Sequence, residues 1–360
     1  MMSQISETTK GKVHLVDGED GFVALGIDPA NPADWEDALR LKQPFGQADY
    51  EWWYTDAHFS NGDFCVVSFH FTAGPGGKMM PAVMLNLARK GEKVCDQHVT
   101  FDLERFTASE TKCDVSIGKS FIRSEDALNR YRIHVDPEEN NGFGVDLEFV
   151  RTAPSYRPAT GRWSDGNNHF SWFCAMPGAD VTGTLIFQGE TVEVAGNGYH
   201  DHNWGDAPIE HFIDHWLWGR AYINGISVVA SAVRFKEEIG GIETPLLFVG
   251  RGKEALVDAL NNELVCLDGH KVPHQITGKK ISSDCVYIVE GEGENSQIRF
   301  KGQGNPVAYF VRPQASGEWE TAYARFAATV SIDISSTERQ VHTSGIGTLE
   351  HMDLLGRKIP

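Results

Sequence analysis

The chain has 360 residues, about the length of two domains, and its 41% hydrophobic and 23% charged residues are typical of a globular protein. Its formal net charge of -18 opposes binding to nucleic-acid phosphates and docking on an anionic membrane surface. The N-terminal residues lack the apolar core of a signal peptide, and no apolar run approaches the roughly 20 residues that span a bilayer. We therefore expect a cytoplasmic protein, monomeric or weakly dimeric, with no nucleic-acid partner and no stable membrane insertion.

A period of two residues in polarity dominates the chain and predicts β-strands. In "DYEWWYTDAHF", alternate residues such as Trp52 and Tyr54 share one face of the predicted strand, and Trp53 lies on the other. Asn61-Gly62 and the run "DFCVVSFHF" follow, which is a strong hairpin signal. Further strands are predicted at "MLNLARKG", "RYRIHV", "GVDLEFVR", "VTGTLIF" and "ETVEVAG".

Helical periodicity is confined to two short segments, "NPADWEDALRLKQP" near the N-terminus and "GKEALVDALNN", which we expect to be helices. The six cysteines are scattered without a C-x-x-C spacing. With no signal peptide, that distribution predicts reduced and mostly buried thiols.

Two stretches of the sequence are alike. "WWYTDAHFSNGDFCVV" from Trp52 and "WLWGRAYINGISVV" from Trp216 both have an aromatic cluster, an alternating strand, an Asn-Gly turn and a Val-Val strand. This likeness favours an internal duplication over a chance similarity of two hairpins. Two copies of a unit with many short antiparallel strands predict two barrels or sandwiches that divide near Asp206.

Histidines concentrate in the middle of the chain. "GNGYHDHNWG" (196–205) and "EHFIDHWLWG" (210–219) place His200, His202, His211 and His215 within sixteen positions. A metal site, an acid/base site and a polar hinge without chemistry are the three explanations. No H-E-x-x-H motif occurs, no cysteine lies in this stretch, and "HWLWGRAYI" is patterned as a strand, so we expect no bound metal and no cofactor.

The motif "EWWYTDAHF" followed about 140 residues later by "GNGYHDHNWG" resembles the carotenoid 1,2-hydratase/AttH family of two-domain lipocalin-like proteins. The resemblance extends from about Tyr50 to Arg357. It implies an all-β fold of two tandem lipocalin-like (calycin-type) antiparallel β-barrels. The domains are then expected to be an N-terminal extension at 1–40, a first barrel at 41–207 and a second at 208–360.

The resemblance also implies a hydrophobic small-molecule substrate, because relatives include hydratases of carotenoid and prenylated flavonoid double bonds, such as kievitone hydratase, and fungal Diels-Alder cyclases. Asp201 matches the position of the family's proposed catalytic acid. Protonation of an alkene needs an acid that keeps its proton near neutral pH, and aromatic surroundings raise the pKa of a carboxyl group. We expect Asp201 to donate the proton, with His200 or His202 positioning water or tuning the acid beside Tyr199. The alternative is that Asp201 caps a turn or pairs with a histidine.

The expected substrate-binding residues are mainly aromatic: Trp172, Trp204, Trp53, Tyr54, Glu51, Asn203, Trp216 and Trp218. Trp172, in "HFSWF", matches the pocket tryptophan of the resemblance. Aromatic faces stabilise a carbocation, although aromatic strand residues are more often core. Glu51 is either a second carboxyl in the site or the partner of a buried arginine such as Arg220.

Three functions follow from the sequence. The first is a cofactor-independent hydratase or lyase that acts on a double bond of an isoprenoid, prenylated or polyene molecule in a cavity at the domain junction. The second is an intramolecular Diels-Alder-type cyclase, which needs shape and hydrogen bonds rather than proton transfer. The third is a carrier of a hydrophobic ligand without chemistry.

Overall fold

The computed structural model describes residues 12–291, 294–313, 320–337 and 339–354. The expected domain ranges 1–40 and 208–360, and the end of the family resemblance at Arg357, extend beyond these residues. The described residues include two α-helices, α1 (Glu19–Leu25) and α2 (Ile209–Phe212). Single 3-10 turns lie at Asp34–Asp37, Pro75–Gly77, Leu103–Arg105, Glu237–Ile239 and Asn261–Glu263. None of the described helices is long and apolar enough to cross a membrane.

Within the described residues, thirteen strands form a first antiparallel sheet. They are β1 (His14–Leu15), β2 (Tyr50–Phe59), β3 (Phe64–Ala73), β4 (Met79–Arg89), β5 (Glu92–Thr100), β6 (Phe106–Ala108), β7 (Asp114–Ile117), β8 (Ser120–Asp126), β9 (Arg130–Val135), β10 (Phe143–Arg151), β11 (Arg162–Ser164), β12 (His169–Phe187) and β13 (Glu190–Gly205). The main order is β5-β4-β3-β2-β13-β12-β10-β9-β8-β7-β6, with β11 pairing β1 and β12.

A second antiparallel sheet of ten described strands follows along the chain, beside a two-stranded ribbon of β19 and β20. The strands are β14 (Ile213–Ile223), β15 (Ile226–Phe235), β16 (Glu243–Arg251), β17 (Glu254–Leu260), β18 (Leu264–Asp268), β19 (Lys271–Pro273), β20 (Lys280–Ser282), β21 (Asp284–Gly291), β22 (Glu294–Gly302), β23 (Ala308–Pro313), β24 (Glu320–Ser336) and β25 (Gln340–Asp353). The order is β17-β16-β15-β14-β25-β24-β22-β21-β18, with β23 on β24. The predicted all-β fold of tandem barrels is confirmed.

The two sheets have matching strand orders, as the internal duplication predicts. The hairpin β2–β3 lies next to β13, the last strand of the first sheet, and the hairpin β14–β15 lies next to β25, the last strand of the second. Both hairpins turn at their Asn-Gly pair, where Gly62 and Gly225 have φ of 86° and 78°. That left-handed backbone conformation is accessible to glycine at little steric cost.

Both helix expectations from the sequence are wrong. "GKEALVDALNN" contains β17, which pairs antiparallel with β16, because the edge of a sheet offers this segment partners that a lone helix lacks. "NPADWEDALRLKQP" forms only the 3-10 turn Asp34–Asp37. The backbone N–H groups of Arg40 and Leu41 donate to the Glu51 carboxylate at 2.7 and 2.9 Å, so they are not available for helical hydrogen bonds.

The hydrophobic residues form separate clusters that explain how the two sheets come together. One cluster fills the first sheet and another fills the second. A third combines residues of both sheets, including Trp172 and Tyr199 from the first and Val229 and Phe248 from the second. Within the predicted N-terminal extension, His14 and Leu15 form β1, which pairs with β11 of the first sheet. The expected domain boundaries stay a prediction. The described cysteines are free, and five of the six are buried.

Candidate active site

The motif "GNGYHDHNWG" lies on β13, where successive side chains point to opposite faces of the sheet. Residues that oppose each other in antiparallel strands share a face. Asp201 opposes Tyr54 of β2, and Asn203 opposes Trp172 of β12. Tyr199, Asp201 and Asn203 therefore share the face that packs against the second sheet.

Asp201 is held by three hydrogen-bond donors. Its Oδ2 accepts from the Tyr199 hydroxyl at 2.7 Å and from Trp172 Nε1 at 2.9 Å, and its Oδ1 accepts from Asn203 Nδ2 at 2.9 Å. The side chain is buried, with 8% of the residue exposed. The structure thus brings together four of the residues singled out from the sequence.

The environment of Asp201 favours its protonated form. Burial raises its pKa from 3.8 to about 6, because the charged carboxylate loses hydration. The hydrogen bonds from Trp172 and Tyr199 act in the opposite direction and stabilise the carboxylate. Two opposing effects of this kind produce a group that holds its proton up to about pH 6 and is still stable after releasing it, as a general acid requires.

Aromatic side chains surround this carboxyl group on the junction side. The ring centroid of Trp218 lies 5.1 Å from that of Tyr199, and that of Tyr54 lies 6.2 Å away, both edge-on. Trp216 packs against the same cluster. Tyr54, Trp216 and Trp218 are only half-buried, so part of this aromatic surface faces solvent at the junction.

A buried charge network, of which the sequence indicated only Tyr54 and Arg220, joins the two sheets beside Asp201. Arg220 of β14 is ion-paired with Asp56 of β2. Tyr54 donates its hydroxyl hydrogen to Asp56 Oδ2 at 3.0 Å and accepts a hydrogen bond from Arg325 of β24, whose Nε donates to Glu350 at 2.7 Å. The charges of the two arginines cancel those of Asp56 and Glu350. The net charge of this network together with Asp201 therefore depends on whether Asp201 is protonated. Burial raises the pKa of Asp56, but Arg220 and Arg325 outweigh that effect and hold it below the usual range.

His200 and His202 lie on the opposite face of β13 from Asp201, inside the first sheet. His200 Nε2 is 2.9 Å from Asp37 Oδ2, and His202 Nε2 is 2.8 Å from Glu51 Oε1. Strand alternation places both histidines on the other face from Asp201, so neither lies where it could position water there. The alternative role, tuning of the acid, is supported for His200, whose charge lowers the pKa of Asp201. Burial lowers the pKa of His200, but its ion pair with Asp37 outweighs burial and raises it.

Three expected substrate-binding residues accompany the histidines on this inner face. Trp53 stacks on His202 with 4.7 Å between ring centroids, and Trp204 lies 4.7 Å from the same ring. Glu51 is fully buried and bonded to His202 and two backbone N–H groups, so it is not the partner of Arg220. These residues pack against the inner face of β13, away from the junction, and do not line the junction.

The other two histidines do not converge with the first pair. His211 Nε2 is 2.9 Å from Asp165, and His215 Nδ1 is 2.8 Å from Asp214. Among the described residues one group has donor atoms close enough to share a metal ion: Asp37, Cys113 and His200, all buried. The ion pair between Asp37 and His200 already accounts for that contact. The expectation that no metal is bound stays a prediction.

The fold and the site together define a two-sheet, lipocalin-like protein with a buried carboxyl group at the junction between the sheets. No protein-family model matches the chain. Hydroxyneurosporene dehydrogenase of Chlorobaculum tepidum is 26% identical over 349 residues, which is 85% of this chain and 83% of the relative. The quinolone epoxide rearrangement protein asqO of Emericella nidulans is 24% identical over 218 residues, 56% of this chain and 59% of the relative.

Solved structures share the fold over almost the whole chain. CghA with Sch210972 has a TM-score of 0.62 at 13% identity, covering 95% of this chain and 98% of that one. AttH of Nitrosomonas europaea has a TM-score of 0.58 at 17% identity, covering 90% and 99%. Kievitone hydratase of Nectria haematococca has a TM-score of 0.53 at 16% identity, covering 96% and 97%. These similarities in sequence and fold agree with the resemblance that the motifs indicated.

Proposed function

We propose that this protein is a cofactor-independent hydratase or lyase that acts on a double bond of a hydrophobic small molecule, with Asp201 as the proton donor. The observation that carries the proposal is the buried Asp201 carboxyl group, whose pKa is raised to about 6 beside an aromatic surface at the junction. A substrate of isoprenoid, prenylated or polyene character fits that surface by hydrophobic contact.

The proposed reaction begins when the Asp201 carboxyl hydrogen moves to one carbon of the alkene, which leaves a carbocation at the other carbon. The faces of Tyr54 and Trp218 stabilise this cation. Water then adds to the cation and returns one proton to the Asp201 carboxylate, so the acid is regenerated. The three donors on Asp201 stabilise the carboxylate between these steps, and the reverse sequence is dehydration.

The names of the similar proteins support an enzymatic role. Two of them name molecules of the proposed class: the Chlorobaculum relative is named for hydroxyneurosporene and the Nectria structure for kievitone. The curated relatives also include a rearrangement protein, so the similarity alone does not select hydration.

An intramolecular cyclase of the Diels-Alder type is the second candidate, and Asn203 favours it. Within the described residues this side chain donates one amide hydrogen to Asp201, which leaves the second for a substrate carbonyl. A hydrogen bond of this kind would polarise a dienophile without proton transfer.

Labelled water separates the candidates. The purified protein is incubated in oxygen-18 water with a panel of prenylated phenols and polyenes, including kievitone, and the products are analysed by mass spectrometry. A hydratase adds one labelled oxygen to its product, whereas a cyclase gives an isomer with no label. Recovery of every compound unchanged would contradict both enzymatic proposals and favour a carrier.

A further inference from the structure

The two oxygens of the Asp201 carboxyl group have different surroundings. Oδ2 accepts hydrogen bonds from Tyr199 and Trp172, at 2.7 and 2.9 Å, whereas Oδ1 accepts one, from Asn203 Nδ2 at 2.9 Å. A carboxyl oxygen has two lone pairs, so both lone pairs of Oδ2 are used and one remains on Oδ1. The acidic hydrogen of Asp201 is therefore carried by Oδ1, on the side of Asn203.

Of the three side chains bonded to Asp201, Asn203 is the one that can also accept a hydrogen bond from water. Trp172 has an N–H donor and no acceptor, and Tyr199 is completely buried. Asn203 is 9% exposed. No described residue donates a hydrogen bond to its Oδ1, and protein atoms do not enclose this oxygen. An amide oxygen in this position is a ready partner for a water molecule.

Strand register places this oxygen beside the aromatic surface of the junction. Asn203 opposes Trp52 of β2, and Asp201 opposes Tyr54, so the four side chains share one face of the first sheet. Trp52 and Tyr54 are both half-buried. An alkene that packs against these rings would therefore have the acid and the amide oxygen as neighbours.

We propose that Asn203 is the water-positioning residue of the reaction, an inference that rests on the proposed hydration. The water molecule donates one hydrogen to Asn203 Oδ1 and the other to Asp201 Oδ1, once that oxygen has transferred its proton to the alkene. These two hydrogen bonds leave an oxygen lone pair of the water free to attack the carbocation. The C–O bond forms from this lone pair, one hydrogen of the water returns to Asp201 Oδ1, and the product is an alcohol.

The position of the water decides what becomes of the carbocation. When no water is held beside it, the Asp201 carboxylate removes a proton from a carbon next to the cation, and an alkene forms again. Both outcomes begin with the same proton transfer from Asp201. Asn203 therefore controls the ratio of alcohol to alkene and not the protonation step.

Asn203→Val and Asn203→Thr form a matched pair of variants, because their side chains have the same shape and differ in one hydroxyl group. Both are β-branched and suit a strand. The probe is kievitone, or the prenylated phenol or polyene of the labelling panel that the native protein hydrates. Each protein is incubated with the probe in deuterium oxide enriched in oxygen-18. Mass spectrometry then gives the ratio of labelled alcohol to deuterated alkene.

The native alcohol should carry one oxygen-18 and one deuterium on carbon. In Asn203→Val we expect the ratio of alcohol to deuterated alkene to fall at least about 10-fold, the effect of one lost hydrogen bond, while deuterium still enters the alkene. Asn203→Thr retains an oxygen and should show a smaller fall. Asn295→Leu alters an exposed asparagine of β22 and should give the native ratio.

An unchanged ratio in Asn203→Val, or an equal fall in Asn203→Val and Asn203→Thr, would overturn the inference. Asn203→Ala takes the place of Asn203→Val if that variant does not fold. Products without oxygen-18 from the native protein would contradict the proposed hydration itself. The failure of the proposed function is thus distinguishable from the failure of the role given to Asn203.

Discussion

Replacement of Asp201 by asparagine should stabilise the protein at neutral pH, although it removes a buried residue with three hydrogen bonds. The pKa of Asp201 is about 6 in the folded protein and 3.8 in the unfolded chain, so ionisation of this carboxyl group destabilises the folded state. The shift of roughly two units corresponds to about 3 kcal/mol. Because the folded pKa is raised, this penalty is complete above pH 6 and disappears as the pH falls from 6 to 4.

Asparagine does not titrate, so the variant lacks the free-energy cost of burying an ionised carboxylate. Its side-chain oxygen can accept the hydrogen bonds of Trp172 and Tyr199, and its amide can donate to Asn203 once that side chain rotates to present its oxygen. The difference in unfolding free energy between Asp201→Asn and the native protein should therefore grow by about 3 kcal/mol, in favour of the variant, from pH 4 to pH 7.5.

Urea denaturation of both proteins at pH 4 and pH 7.5, followed by tryptophan fluorescence, measures this difference on either side of the sequence pI of about 5.2. Asp180→Asn alters an exposed carboxylate on β12 and serves as the matched control. A difference for Asp201→Asn that is the same at both pH values would refute the argument that burial raises the pKa of Asp201.

Three further outcomes follow from the junction. Arg220→Met should lower the free energy of unfolding by about 3–5 kcal/mol, measured by urea denaturation, because it leaves the buried Asp56 carboxylate without its partner. Trp172→Phe keeps an aromatic wall but removes a donor to Asp201, so the pH midpoint of turnover should move upward in a pH–rate series. In the native enzyme kcat should rise as the pH falls from 7 to 6 and level off below, whereas a rate that increases with pH would contradict a protonated Asp201.

The two faces of β13 show which parts of the candidate site a sequence pattern can predict and which it cannot. Period-two alternation predicted the strands and, applied to Tyr199 through Asn203, already places His200 opposite Asp201. The motif was not predicted as a strand, so that consequence was missed. The network of Arg325 and Glu350 with Tyr54 could not be predicted, because it depends on the register between strands that are far apart in the chain.

The segment "NPADWEDALRLKQP" near the N-terminus illustrates the same limit. Its sequence has helical periodicity, but the backbone N–H groups of Arg40 and Leu41 donate to the Glu51 carboxylate and not to helical carbonyls. The ion pair of Asp37 with His200 also holds the turn against the first sheet. Such tertiary hydrogen bonds override local propensity, which differs by less than about 1 kcal/mol per residue among ordinary residues.

The central claim is that Asp201 donates a proton to the substrate, and turnover of Asp201→Asn with the substrate found in the labelling screen tests it most directly. A general acid contributes about 10²–10⁴-fold, so kcat should fall at least about 100-fold while ligand affinity changes little, because the amide is nearly isosteric. Asp180→Asn should retain native turnover. Near-native turnover of Asp201→Asn would contradict the claim and leave Asp201 as a structural residue of the junction.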